Sequence, residues 1–264
     1  MNVVLKDQTS RKPDHISEAE WAVRLDLAAA YRLVDHYAMT QLVYNHITAK
    51  LPGREKHFLI NEYGLMYDEI TASNLVKVDL DGNIIDATAD GREINPAGYV
   101  IHSCIHRARD DIHCVLHTHS RAGVAISCLK EGLLPMEQTG MLFEDGVAYH
   151  DYEGLALDED EQARLLSDMG EHRTMILRNH GLLACGRTIS EAFRSLYYLE
   201  FACRVQLDAM GTGREINLPP KAVRDHTAEQ FRGAAAGIGD ARGNTREWPA
   251  LLRMLDRKDP SWRS

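Results

Sequence analysis

Two histidines lie two positions apart at the end of an apolar run in residues 115–120. Side chains alternate between the two faces of an extended strand, so His117 and His119 point the same way while Thr118 points to the opposite face. Imidazole nitrogens are common ligands of divalent metal ions. The spacing therefore predicts that this strand end offers two ligands to one ion.

A third candidate ligand lies further along the chain. The short apolar run 175–177 leads to His180, which stands before Gly181 at a predicted turn. The chain contains 13 histidines, and a single histidine is more often a surface or hydrogen-bonded core residue than a ligand. Two strands that each deliver histidine at a turn nevertheless favour one site assembled from distant segments.

The composition is that of a globular protein with an excess of acidic groups. Its 264 residues can form one large domain or two small ones, and 44% hydrophobic with 26% charged residues is ordinary for a soluble protein. The formal net charge of -9 argues against nucleic acid or an anionic membrane as partner, because both attract cationic surfaces. No apolar run approaches the roughly 18 residues that span a bilayer.

The N-terminus and the cysteines indicate the compartment. The first residues lack the apolar core of a signal peptide, so we expect a cytoplasmic protein. The five cysteines are far apart and include no CxxC pair. We therefore expect reduced, mostly buried thiols and no metal site built on them.

Short strands, hairpin turns and helices are intermixed along the chain. Residues 1–16 are predicted to be a flexible segment, and Ser17 opens a capping box at the start of a helix that runs to about residue 37. Further helices are predicted over about residues 97–108, 158–169 and 188–210, and another starts near residue 120. Strands are predicted over residues 57–60, 75–80, 83–85, 173–178 and 182–186, and another ends at residue 117. This mixture predicts an α/β fold over residues 17–211, in which helices cover both faces of a mostly antiparallel sheet.

Two further segments have a weaker signal. Residues 133–154 are predicted to form a long irregular connection that carries two tyrosines and several acidic groups. Residues 212–264 are predicted to be a C-terminal extension, rich in glycine, arginine and aspartate up to the apolar segment 248–252. We expect that segment to dock on the body of the domain or on a neighbouring subunit.

The order of several short motifs adds to this pattern. They are Asn45–Thr48, Phe58–Ile60, Gly64–Tyr67, Ala97–Tyr99, His117–His119, Ala148–Tyr152 and Arg178–Gly181. Together, over about residues 20–210, they resemble the class II aldolase/adducin family, nearer to the adducin head domain and its bacterial relatives than to the sugar-phosphate aldolases. The resemblance implies a single-domain α/β/α sandwich and a metal site formed by His117, His119 and His180. It also implies an active site completed by an adjacent subunit in a homo-oligomer, either a tetramer or another dimer-based assembly.

Departures from the family pattern concern the acid/base group. The family's aldolases carry a glutamate in a Ser-Ser-Glu segment, where it binds metal and removes the substrate proton. In this chain the corresponding segment reads Pro96, Ala97 and Gly98. Glycine can neither bind a metal through its side chain nor accept a proton there, so the standard sugar-phosphate reaction is disfavoured.

The phosphate-binding positions also differ. The resemblance places substrate contacts at Asn45, His46 and Gly64, but the family's Thr-Gly pair reads Tyr63-Gly64 and its Gly-Asn loop keeps only the asparagine, followed by a bulky histidine. The family's aldolases also use the two serines of the Ser-Ser-Glu segment to bind substrate phosphate, and Pro96 and Ala97 stand at those positions. Together these losses predict an unphosphorylated substrate.

Three imidazoles on a divalent ion would leave coordination positions open, as in catalytic sites. We therefore predict a metal-dependent carbon–carbon lyase, of decarboxylase or aldolase type, acting on an unphosphorylated oxo- or hydroxy-acid. Zinc is the expected metal, with manganese or iron(II) as alternatives. An adducin-like, self-associating scaffold domain without catalysis and an iron-dependent oxygenase on the same fold are the alternative functions.

Several residues could replace the missing acid/base group. His102 could supply a fourth ligand or a proton shuttle, or else hydrogen-bond within the core behind the metal. Tyr149 matches the position of the family's catalytic tyrosine, or else packs the connection. Glu137 and Glu144 could approach the metal, although such loop carboxylates are usually solvated.

Overall fold

The computed structural model describes residues 12–53, 55–85, 91–154, 159–235 and 241–264. Most of the predicted flexible segment 1–16 lies outside these residues. The side chain of Ile16 is only 5% exposed and belongs to the hydrophobic core.

A seven-stranded sheet forms the centre, in the order β3-β2-β1-β4-β7-β6-β5. The strands are β1 (His46–Lys50), β2 (Phe58–Ile60), β3 (Val76–Val78), β4 (Cys114–Thr118), β5 (Val147–His150), β6 (Thr174–Leu177) and β7 (Gly181–Gly186). Every neighbouring pair is antiparallel except β5 and β6, which run parallel. The prediction of a mostly antiparallel sheet is confirmed, although the sheet as a whole is mixed.

Two strands were not predicted. Strand β1 lies in the middle of the sheet, and we predicted no strand there. Its histidine and lysine hide the apolar alternation. The expected irregular connection 133–154 contains β5, so that expectation is wrong. Strand β5 lies at the sheet edge and pairs with a partner far along the chain, so no hairpin signal accompanies it.

Helices cover both faces of this sheet. They are α1 (Glu18–His36), α2 (Pro96–Ala108), α3 (Arg121–Ser127), α4 (Glu159–Met169), α5 (Ile189–Gly211), α6 (Lys221–Ala235) and α7 (Ala241–Lys258). The side chains of Ser17, Ser120 and Thr188 accept backbone N–H groups at the starts of α1, α3 and α5. These bonds satisfy amides that a helix start otherwise leaves unpaired.

Strand β4 shows how the layers divide. Its Leu116 packs into the core formed with α1 and α5, whereas Val115 packs into a second core with α2 and α4. The structure therefore has the predicted single-domain α/β/α sandwich. Because His117 lies two residues after Val115, it faces the side of the sheet that α2 covers.

The C-terminal residues lie against α1 and α5. The ring of Trp248 is centred 5.9 Å from that of Phe193, and its Nε1–H donates to Asp26 at 3.0 Å. The Trp262 side chain is 1% exposed, and its backbone carbonyl accepts the Ala72 N–H at 3.0 Å. Helix α6 lies in the predicted C-terminal extension, where we predicted no helix. Among the described residues, no helix is both long enough and apolar enough to cross a membrane.

Candidate metal centre

Three imidazoles converge at one end of the sheet. His117 and His119 come from the end of β4, and His180 comes from the turn between β6 and β7. The centroids of each pair of rings are 4.7 Å apart. One nitrogen from each ring lies within 4.8 Å of the nitrogens from the other two.

The turn that delivers His180 depends on its backbone. Asn179 has a φ of 54°, in the left-handed region that asparagine tolerates better than most residues. Gly181 follows, and a Cβ at that position would lie 2.3 Å from the Thr118 carbonyl oxygen. Only glycine therefore allows the start of β7 to approach the end of β4, where the other two histidines lie.

Hydrogen bonds orient two of the rings. A carbonyl oxygen can only accept, so His117 donates from Nδ1 to the Leu182 carbonyl at 2.9 Å, and His119 donates from Nδ1 to Gln41 Oε1 at 2.8 Å. Burial lowers the pKa of His117 well below its usual range and that of His119 to about 4. Both rings are therefore neutral near pH 7, and each Nε2 carries a lone pair.

These two lone pairs face each other. His117 Nε2 and His119 Nε2 are 2.8 Å apart, so two neutral rings in these tautomers repel each other unless a proton or a cation bound to both nitrogens offsets the repulsion. Bond lengths of about 2.0–2.1 Å are usual between zinc and imidazole nitrogen, and outer hydrogen bonds to a carbonyl or carboxamide normally fix the ligating tautomer. The residues present thus fit a divalent metal ion.

A fourth imidazole lies beside this group. The His46 ring is centred 5.7 Å from the His117 ring. The two residues are directly opposite each other in the neighbouring strands β1 and β4. It lies directly over Gly98 on α2, and a Cβ at position 98 would come within 2.1 Å of His46 Cε1. Neither His46 ring nitrogen has a hydrogen-bond partner among the described residues. Burial lowers its pKa to about 4, so this ring is also neutral.

Behind His46 a threonine joins two buried imidazoles. Thr48 Oγ1 lies 2.8 Å from His102 Nδ1 and 2.8 Å from His106 Nε2. The hydroxyl has one proton, so when it donates to one ring it must accept from the other. The tautomers of His102 and His106 are therefore coupled.

A cavity of about 500 Å³ opens in front of the histidines. His46 and the three converging histidines form its base, and Tyr44, Tyr63 and Tyr152 form aromatic walls. Among the described residues, no lysine, arginine, aspartate or glutamate lines it. The described part of the lining therefore offers no cationic side chain to neutralise a second negative charge on a ligand.

A family profile described as Class II Aldolase and Adducin N-terminal domain matches residues 25–207. This match covers most of the chain and includes every histidine of the cluster. The chain belongs to the class II aldolase and adducin family.

Relatives of this chain include proteins named as aldolases and proteins named as adducins. An aldolase II superfamily protein from Pseudomonas syringae is 50% identical, with a TM-score of 0.90 over 95% of this chain and 98% of its own. An L-fuculose 1-phosphate aldolase from Glaciozyma antarctica PI12 is 27% identical, with a TM-score of 0.80 over 96% of this chain and 97% of its own. Alpha-adducin of Mus musculus is 39% identical over 247 residues, which are 90% of this chain and 34% of that longer protein.

The substrate positions that the family resemblance indicated are only partly in the cavity. His46 lines it. Asn45 lies behind the wall, where its Oδ1 accepts the Gln41 backbone N–H at 2.9 Å. Gly64 lies at an exposed turn with a φ of 96° and does not line the cavity, although its neighbour Tyr63 does.

The two candidate catalytic residues are outside the cavity. His102 is buried behind His46, as in the alternative in which it bonds within the core. Tyr149 accepts the Leu133 N–H at 3.0 Å and lies under the Arg178 guanidinium, against the core shared with α1 and α5. Side chains alternate between the two faces of β5, and Ala148 packs into the core on the α2 side. Its neighbour Tyr149 therefore points to the opposite face, away from the histidines.

Neither candidate loop carboxylate reaches the histidines. Glu137 accepts two backbone N–H groups of its own loop, and Glu144 pairs with Arg224 at 3.4 Å. In this part of the chain it is Tyr152 that enters the site, with its ring centred 6.4 Å from that of His180. The sequence offered no way to choose it over Tyr149, because both lie in one short segment.

Proposed function

We propose that this chain is a metal-dependent carbon–carbon lyase that acts on an unphosphorylated oxo- or hydroxy-acid. The observation that carries the proposal is the pair of Nε2 lone pairs on His117 and His119, held face to face beside His180 at the base of an open cavity. A structural metal site would be closed by protein ligands on every side, whereas this group faces a space where a small molecule can bind.

The three imidazoles would hold the metal through nitrogen. A divalent ion there would polarise the carbonyl group of a bound oxo-acid and stabilise negative charge that develops as a carbon–carbon bond breaks. We propose zinc, because neutral imidazole suits it; manganese and iron(II) suit the same ligands. Iron(II) with oxygen consumption would instead indicate the oxygenase alternative.

The lining of the cavity supports a substrate without phosphate. A phosphate monoester carries close to two negative charges near pH 7 and is usually bound by arginine, lysine or clustered backbone N–H groups. The described lining contains no such cation, and its histidines are neutral. A single carboxylate that chelates the metal would need no further cation.

No carboxylate base is found in the described lining of the cavity, which supports decarboxylation over aldol cleavage. A retro-aldol reaction requires a group that removes a hydroxyl proton, and Gly98 leaves no carboxylate at the position where the family's aldolases use glutamate. A decarboxylation requires only a final proton donor. We propose Tyr152 as that donor, because its phenol is on the cavity wall nearest His180, and we assign Tyr149 and His102 to packing and support.

The test is turnover of the zinc-loaded protein on a panel of unphosphorylated 2-oxo-, 3-oxo- and hydroxy-acids. Release of carbon dioxide or of an aldehyde should be measured in parallel with the His117→Ala variant. Turnover that requires both zinc and His117 supports the proposal. No turnover on any acid by fully metallated protein contradicts it.

A second candidate is an adducin-like self-associating domain, which the 39% identity to alpha-adducin favours. Three exposed aromatic side chains line the cavity, namely Tyr44, Tyr63 and Tyr152, and the exposed Leu42 lies two residues before Tyr44. We propose that a second copy of the chain covers them in a homo-oligomer, whichever function holds. Metal content distinguishes the lyase from the scaffold domain, since a scaffold has no need of an open cation site.

A further inference from the structure

Gln41 is the hydrogen-bond partner of one candidate metal ligand and also part of the cavity mouth. It lies in residues 37–45, the mouth segment, which connects α1 to β1. Its side-chain oxygen lies 2.8 Å from His119 Nδ1, and its backbone N–H donates to Asn45 Oδ1 at 2.9 Å. One residue therefore joins the metal centre to the loop that borders its entrance.

His119 depends on this contact more than His117 depends on its own. His117 is 1% exposed and bonds to a backbone carbonyl of β7, which is fixed within the sheet. His119 follows the last residue of β4 and is only partly buried. Its Nδ1 has no partner other than Gln41 among the described residues, so Gln41 alone selects which nitrogen carries the proton.

Buried residues anchor the mouth segment on both sides of Gln41, because Met39 is fully buried in the core and Asn45 is 2% exposed. Arg204 donates to the Tyr37 carbonyl at 2.8 Å, which anchors its start. At its centre, Leu42 is 62% exposed and has a φ of 48°, a conformation that a leucine rarely adopts. The contact between Gln41 and His119 thus joins the exposed part of the segment to the end of β4.

We propose that Gln41 is a positioning residue that couples metal binding to the mouth segment. The inference rests on the proposed metal centre. The carboxamide oxygen keeps His119 in the tautomer whose Nε2 lone pair faces the ion. Because coupling free energies are reciprocal, an ion on His119 also stabilises the docked form of Gln41 and orders residues 37–45.

The test measures zinc affinity by competition with a chelator, together with amide hydrogen exchange in the mouth segment. Gln41→Ala should weaken zinc binding about 10- to 100-fold, the usual effect of losing such an outer hydrogen bond. Gln41→Glu keeps the acceptor oxygen and should restore most of the affinity. Gln230→Ala, which makes the same exchange at an exposed position on α6, is the matched control and should bind zinc as the unaltered chain does.

Zinc should also slow hydrogen exchange in residues 37–45 of the unaltered chain and of Gln41→Glu, but not of Gln41→Ala. Equal affinity in Gln41→Ala and the unaltered chain would overturn the inference while leaving the metal centre intact. Equal losses in Gln41→Ala and Gln41→Glu would also overturn it, because the acceptor oxygen would then have no role. Absence of zinc binding by the unaltered chain would instead remove the proposed function itself.

Discussion

The imidazole of His46 occupies the space into which any side chain at Gly98 would have to extend. A Cβ at position 98 would lie 2.1–2.5 Å from three atoms of that ring, all far inside van der Waals contact. His46 is 4% exposed and its backbone is held in β1, opposite His117 in β4, so a side chain at position 98 would have to displace the ring from this position. The two positions are therefore sterically coupled.

This coupling predicts a double-mutant cycle. Gly98→Ala should lower the free energy of unfolding by about 1–3 kcal/mol, the usual cost of overpacking a core. In a His46→Ala background, Gly98→Ala should lower the free energy of unfolding much less, because the imidazole that the new methyl group would contact is absent. Urea unfolding of the four proteins measures the interaction, and additive effects would show that the ring and the new methyl group do not meet.

Metal content is the second prediction. His117→Ala or His180→Ala should remove most of the metal bound by the unaltered chain, since each removes one of three ligands, with little change in the far-ultraviolet circular dichroism. His113→Ala is the control, because His113 lies one residue before β4 and is exposed. Elemental analysis after purification gives the occupancy, and full occupancy in His117→Ala would refute the assignment of the ligands.

The third prediction concerns the sugar-phosphate reaction. The zinc-loaded chain should give negligible cleavage of L-fuculose 1-phosphate, because Gly98 supplies no carboxylate and no described cation lines the cavity. An L-fuculose 1-phosphate aldolase assayed alongside provides the positive control. Robust turnover by this chain would show that Gly98 does not take the place of the family's glutamate.

Local sequence was sufficient where one strand or one helix end determines the geometry. The alternation of side chains along β4 placed His117 and His119 on one face, and a serine or threonine ahead of a glutamate marked the starts of α1 and α5. The third ligand could be named because the apolar run of β6 ends just before His180.

Contacts between distant segments could not be predicted in this way. Gln41 is 78 positions from His119, and no local pattern in residues 37–45 distinguishes it from a solvent-exposed glutamine. The choice between Tyr149 and Tyr152 depended on the parity of β5, an edge strand whose partner β6 lies far along the chain. Such pairings arise from the whole sheet, so a single sequence does not contain a short-range signal for them.

The fourth prediction concerns the hydroxyl between His102 and His106. Thr48→Val removes it with little change in shape and leaves two buried ring nitrogens without a partner, at a cost of about 1–3 kcal/mol for each unsatisfied group. Thr48→Ser keeps the hydroxyl and should be closer to the unaltered chain in urea unfolding. Equal stability of Thr48→Val and the unaltered chain would contradict the coupled hydrogen bonds.

The fifth prediction is the pH dependence of stability in metal-free protein. Burial lowers the pKa of His106 to about 3 and that of His46 to about 4, whereas in the unfolded chain both should titrate near 6.5. Below pH 6.5 the unfolded chain therefore binds protons that the folded chain does not. The free energy of unfolding should fall by about 1.4 kcal/mol per pH unit for each ring as the pH decreases toward the folded pKa, and these two rings should contribute no slope above about pH 7.5.

Replacement of one ring isolates its share of that slope. His106→Gln places an amide nitrogen near the position of Nε2 and cannot titrate. When the pH falls from 6.5 to 5.0, the free energy of unfolding of this variant should therefore decrease by about 2 kcal/mol less than that of the unaltered chain. His113→Gln makes the same exchange at an exposed site and controls for the substitution itself. Urea unfolding in the presence of a chelator at several pH values gives both slopes. Parallel curves for His106→Gln and the unaltered chain would mean that the buried ring takes up a proton as readily as the unfolded one, which its enclosure between Phe58 and Thr48 should prevent.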